Sequence, residues 1–136
     1  MKIEILKNIQ TLQNFLSIAG DSLLSFRYFS KRPLQNIFLH EITLIGYDND
    51  KPIAYGHLDK EKEIVWLGIC VIWPEHGKGY GKQMMTALKE AAMRMGIEKI
   101  SLAVDIQNTA AICFYEKSGF KKISSNDKLF FYEHSL

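Results

Sequence analysis

The chain has 136 residues, 47% hydrophobic and 24% charged, and its 17 Lys and Arg against 15 Asp and Glu leave a net charge of +2. That balance excludes disorder and suits one domain, 1–136, with a core that needs no disulfide or metal. It also lacks the basic excess of a nucleic-acid binder, and Cys70 and Cys113 form no C-x-x-C or Cys/His cluster, so no metal site is expected.

Met1-Lys2-Ile3-Glu4-Ile5 has neither the basic nor the apolar region of a signal peptide. The longest apolar run, Ile64 to Trp73, is half the ~20 residues that a spanning helix needs. The expectation is a cytoplasmic protein with reduced thiols and no membrane partner. Lys2 to Leu6 alternates as a strand, and Thr11 to Ile18 carries Leu12, Phe15 and Leu16 at helical spacing up to a stop at Gly20-Asp21. Ser22 to Lys31 is aromatic-rich and has no clear period. Pro33 suits the first turn of a short helix through His40.

Glu41 to Tyr47 and Pro52 to Leu58 read as a hairpin around Asp48-Asn49-Asp50-Lys51. Asp59 to Glu63 reads as a charged connector, and Ile64 to Ile72 as a central strand buried on both faces. Pro74 ends it. After a glycine-rich loop, Met84, Leu88, Ala91, Ala92 and Met95 form one helical stripe that stops at Gly96. Lys99 to Ile106 is a further strand, Asn108 caps a helix to Ser118, and Phe120 to Ile123 with Leu129 to Glu133 close the chain as a strand pair. The order β, α, α, β, β, β, α, β, α, β, β predicts a mixed α/β domain with about seven strands and four flanking helices. The first half is antiparallel, and the crossover between strands four and five calls for a parallel pair.

Val71 to Lys82 carries the chemistry. A strand ends, His76-Gly77-Lys78-Gly79-Tyr80-Gly81 follows, and a helix begins. Glycines let successive N–H groups turn into one concavity, and the new helix adds its free N–H groups and the positive end of its dipole. Lys78 and Lys82 add charge, so a pyrophosphate fits. The glycine spacing matches neither the P-loop nor the dinucleotide fingerprint. On the loop alone, a ligand-free turn stands beside the anion site.

The same residues resemble the acetyl-CoA signature of the GNAT superfamily of acyl-CoA N-acyltransferases, [RQ]-x-x-G-x-[GA] after the fourth strand, with His76 departing at the first position. Asn108 to Phe120 (N-T-A-A-I-C-F-Y-E-K-S-G-F) resembles the family's N-x-x-A-x-x-[FL]-Y-x-x-x-G-F segment, and the element order matches along nearly the whole chain. The resemblance implies a mostly antiparallel sheet whose fourth and fifth strands splay apart. It implies transfer of an acetyl group from acetyl-CoA to a primary amine of a small molecule or peptide, by direct attack in a ternary complex. A non-catalytic acyl-CoA-binding module on the same fold is the alternative.

Carried over residue by residue, the backbone of Ile69 would face the acetyl carbonyl and Val71 would pair with pantetheine. His76, Gly77, Lys78, Gly79, Tyr80, Gly81 and Lys82 would hold the pyrophosphate, Asn108 would cap its helix or touch coenzyme A, and Tyr115 would protonate the departing sulfur. The family's strand-four base aligns with Val65 and Leu67, which cannot titrate. Glu63 is the candidate on that strand, with His57, Asp59, His40 and Glu41 as alternatives. Arg27, Tyr28, Tyr55, His57 and Trp66 are the candidate acceptor pocket, with Arg27 and Arg32 placed to meet an anionic group. Cys70 and Cys113 read as packing residues. The apolar Leu129-Phe130-Phe131-Tyr132 suggests an exposed edge for a homodimer.

Overall fold

The computed structural model describes residues 1–136. Strand β1 (Lys2–Ile5) leads into helix α1 (Ile9–Ala19), whose first turn is capped by Asn8: its Oδ1 accepts from the Thr11 N–H at 2.8 Å. Leu12, Phe15 and Ala19 form the buried stripe of α1. Three short 3-10 helices follow, Gly20–Ser25, Tyr28–Ser30 and Leu34–Leu39. The second of the four expected helices, the one opened by Pro33, is the last of these. Its neighbours are held by aromatic packing rather than a helical stripe: Phe26 and Phe29 lie 5.4 and 5.6 Å from the Tyr55 ring.

Strands β2 (Ile42–Asp48), β3 (Lys51–Glu61) and β4 (Ile64–Val71) form an antiparallel meander. The charged connector expected at Asp59 to Glu63 is largely strand, since β3 runs to Glu61 and only Lys62, at φ +56°, and Glu63 turn the chain. Helix α2 (Tyr80–Arg94) crosses to β5 (Lys99–Asp105), then α3 (Thr109–Lys117), β6 (Lys121–Ser125) and β7 (Leu129–Ser135) complete the fold.

The sheet order is β1-β2-β3-β4-β5-β7-β6, with β4 and β5 parallel and every other neighbouring pair antiparallel. Because β7 is paired on both sides, it is not the exposed edge that its apolar run suggested; β6, exposed throughout, and β1 are the edges. One face of the sheet buries Leu44, Ala54, Leu58 and Leu67 under Met84, Leu88 and Ala92 of α2. The other buries Ile45, Ile53, Tyr55 and Ile72 under Leu12 and Phe15 of α1.

One departure from regularity positions the site. The only register pair joining β4 to β5 is Trp66 with Ser101. Beyond it the strands part, which is why β4 is not buried on both faces: Trp66, Gly68, Ile69 and Val71 are half-exposed.

Candidate active site

A cleft of about 1140 Å³ opens where β4 leaves β5. Strand alternation decides which groups face it. The Ile72 N–H bonds the Ile53 carbonyl of β3 at 3.0 Å, so the even-numbered residues of β4 point their backbone toward β3. Ile69 and Val71 therefore turn theirs toward the gap left by β5, and both line the cleft. His76 reaches back and donates from Nε2 to the Val71 carbonyl at 2.7 Å.

At one end of the cleft, Gly77 (φ +80°) and Gly79 (φ +82°) adopt the left-handed conformation that side-chain-bearing residues avoid. They turn the chain sharply into the N-terminus of α2, which no side chain caps. Gly77, Gly79, Tyr80, Gly81 and Lys82 line this end. Lys78 does not; its ammonium lies 2.7 Å from Glu75, which raises its pKa.

From the α3 side comes Tyr115, braced by Phe114 and Phe120 at ring separations of 5.4 and 6.0 Å. It lines the cleft, and burial pushes its phenol up to about 12, so the group is a protonated donor at neutral pH. Asn108 caps α3 by accepting from the Ala111 N–H at 3.2 Å and also lines the cleft.

The opposite end is walled by β3, β4 and the aromatic segment before β2. Register pairs on this face are Tyr55 with Cys70, His57 with Gly68 and Asp59 with Trp66. His57 lies over Gly68, where a Cβ would stand 2.6 Å from its Nε2. Its Nδ1 is 2.7 Å from the Tyr55 hydroxyl. Burial, with His40 and Arg32 nearby, drives the His57 pKa well below its usual range, so the ring is neutral. Next along, the Tyr28 hydroxyl donates to Asp59 Oδ2 at 2.8 Å and meets His40 Nε2 at 2.6 Å, while His40 Nδ1 is 2.8 Å from the Thr43 hydroxyl.

A family model described as the acetyltransferase (GNAT) family matches residues 9–120. The chain belongs to the GNAT acetyltransferase family. It is similar to the uncharacterized N-acetyltransferase YycN of Bacillus subtilis (strain 168), 49% identical over 49 residues, which are 36% of this chain and 31% of that one. It is also similar to the uncharacterized N-acetyltransferase YobR of the same organism, 36% identical over 81 residues, 59% and 33% of the two chains. The matched stretches span about a third of these curated relatives' length. Among solved structures, PaiA N-acetyltransferase from Thermoplasma acidophilum in complex with coenzyme A superposes with a TM-score of 0.81 at 20% identity over 100% of both chains. YncA, a putative acetyltransferase from Salmonella typhimurium with its cofactor acetyl-CoA, gives 0.78 at 16% over 100% and 94%. At these identities the likeness is one of fold.

In this GNAT domain, most of the sequence-nominated residues converge on one cleft: Ile69, Val71, His76, Gly77, Gly79, Tyr80, Gly81, Lys82, Asn108 and Tyr115 on the loop side, and Arg27, Tyr28, His57 and Trp66 on the other. Three lie elsewhere. Glu63 sits exposed in the β3–β4 turn, Lys78 is paired with Glu75, and Tyr55 is fully buried behind His57. The arginines expected to meet an anion already have carboxylate partners: Arg27 donates from Nη2 to both Asp105 oxygens at 2.6 and 2.8 Å, and Arg32 lies 3.7 Å from Glu61 and stacks over Tyr28 at 4.4 Å. The Tyr28–His40–Thr43 chain behind Asp59 was missed as a unit. Its sequence signal is the period-two row Tyr55, His57, Asp59, Glu61, which faces one side of β3.

Proposed function

We propose that this protein transfers an acetyl group from acetyl-CoA to a primary amine by direct attack within a ternary complex. The observation that carries the reading is the parted β4–β5 pair. Backbone of Ile69 and Val71 that β5 leaves unpaired lies between the glycine-lined N-terminus of α2 and Tyr115, and the same cleft continues to the wall of Tyr28, His57 and Trp66. An extended pantetheine arm pairs with such backbone as an added strand would, with its pyrophosphate on the loop N–H groups.

The division of labour follows from where charge develops. The Ile69 N–H is turned toward the gap, so it donates to the thioester oxygen as the tetrahedral oxyanion forms. The amine nitrogen bonds to the carbonyl carbon, the C–S bond breaks, and the Tyr115 phenol gives its proton to the departing thiolate. Water carries off the amine proton, since β4 presents no carboxylate or imidazole to the cleft. Cys70 stays out of the chemistry, because burial pushes its thiol up to about 12.

The non-catalytic alternative keeps one supporting observation: Val65 and Leu67, aligned with the family's base, are buried and apolar. Titration calorimetry with acetyl-CoA, with ATP and NAD as controls, tests the cofactor assignment, and thiol release with an amine panel tests turnover. Selective binding with release supports the transferase, and binding without release across the panel supports the sensing module. No acetyl-CoA binding by a folded protein removes both.

A further inference from the structure

Asp59 is 6% exposed and lines the cleft. A carboxylate buried to that degree normally has every lone pair occupied, because an unpaired buried charge is costly. Here only Oδ2 is served. The hydrogen-bond directions follow from counting protons. The single Tyr28 proton goes to Oδ2, so His40 Nε2 must donate to the Tyr28 oxygen. His40 is neutral, its pKa lowered chiefly by burial, so its Nδ1 accepts from the Thr43 hydroxyl. Thr43, His40 and Tyr28 thus form a directed chain in which every donor points toward Asp59. Oδ1 has no protein partner, and no unpartnered side-chain atom of the protein is sealed from solvent, so Oδ1 opens into the cleft.

The neighbouring charges are already matched. Arg27 is held by Asp105, Arg32 by Glu61, and His40 and His57 are neutral. Lys31 is exposed at the rim. Of the charges lining this wall, Asp59 is the buried one left without an oppositely charged partner. The Tyr28 ring beside it already carries Arg32 at 4.4 Å, and its cross-strand partner is the half-exposed Trp66, an aromatic of the kind that suits a cation.

We propose that Asp59 Oδ1 anchors an ammonium group of the acceptor, and that this group is a second amine, distinct from the one acetylated. Distance separates the two roles. Ile69 pairs with Gly56, three residues from Asp59, and His57 lies two residues from it. At the rise of a strand, the anchor stands about 10 Å along β3 from the residue that pairs with Ile69. That is too far for Asp59 to touch the reacting nitrogen while holding an ammonium by a direct charge-assisted bond. The acceptor class is therefore an aliphatic diamine, or a longer polyamine, with nitrogens separated by that span. This assignment rests on the transferase reading for its second amine, though not for the anchor itself.

The test compares hexamethylenediamine with hexylamine and with aminocaproate, which puts a carboxylate where the anchored ammonium belongs. In wild type, kcat/KM for the diamine should exceed that for hexylamine at least tenfold, with aminocaproate the poorest. In Asp59→Asn, checked for folding by its melting curve, that ratio should collapse to below threefold. Hexylamine matching the diamine in wild type overturns the proposal without needing any variant, and so does a diamine preference that survives in Asp59→Asn. Calorimetry of the diamine against the protein saturated with coenzyme A separates the two readings. Asp59-dependent binding without acetyl transfer keeps the anchor and removes the transferase. Acetyl transfer that ignores the second amine keeps the transferase and removes the anchor.

Discussion

Tyr115 lines the cleft with a phenol that stays protonated at neutral pH, as the proposed acid role demands. Tyr115→Phe should lower kcat by about 10²-fold or more, the usual weight of a positioned acid, while calorimetry finds acetyl-CoA affinity nearly unchanged. Equal rates would remove the phenol from the reaction. Gly68 makes a different demand, because its missing side chain is what admits His57. Gly68→Ala should cost about 1–3 kcal/mol by overpacking, and combining it with His57→Ala should give back part of that loss in denaturant melts. Strict additivity of the two would show that the ring and the glycine do not share the space. At this scale the sequence motifs led to residues that line the cleft, Tyr115 and the glycine loop among them. The sequence was least informative where a role depends on a cross-strand neighbour. Nothing in the local run around His57 says that Gly68 stands opposite, and Arg27 gives no hint that Asp105 will neutralise it.

Helices were legible because each carries its own start, stripe and stop. Asn108 caps α3 as its position suggests, while the Asn8 cap of α1 emerges only in the structure, and Asn108→Ala should cost ~1 kcal/mol of stability by thermal melting. The loop before α2 is the more sensitive element. A carboxylate at Gly79 would add negative charge to the proposed pyrophosphate site and strain a backbone at φ +82°. Gly79→Asp should therefore abolish acetyl-CoA binding in calorimetry while the protein still folds; retained affinity would move the pyrophosphate elsewhere. The strand ends were harder to read. Asp59 and Glu61 look like connector residues because strands seldom carry such charge, yet they face a cleft and extend β3. Strands β4 and β7 misled in the opposite sense. Their apolar runs signal burial but do not say which neighbour supplies it, and that is fixed by a sheet order in which β7 inserts between β5 and β6.

For the whole molecule, two neutral buried imidazoles set a pH dependence. The folded-state pKa values of His57 and His40 lie below 6.5, mainly through burial. The unfolded chain therefore binds more protons than the folded one at mildly acidic pH. Their contribution to stability is present above about pH 6.5 and is lost as pH falls below it. The melting temperature should drop between about pH 7.5 and 5.5, and His57→Gln should flatten that slope; a flat wild-type profile would contradict the neutral assignment.

The single register pair between β4 and β5 divides the sheet into two panels, β1 to β4 and β5 to β6, hinged at Trp66 and Ser101. The two panels share the core under α2, and anything threaded into the opening acts as a keystone that adds a second tie between them. An occupied opening would stiffen β5 and β7 as well as the strand it touches, and slowed amide exchange across β7, well away from any direct contact, would be its signature. At a hundredfold excess over its Kd such a ligand adds about 2.7 kcal/mol. The protein's resistance to heat would then track the supply of its own acyl donor.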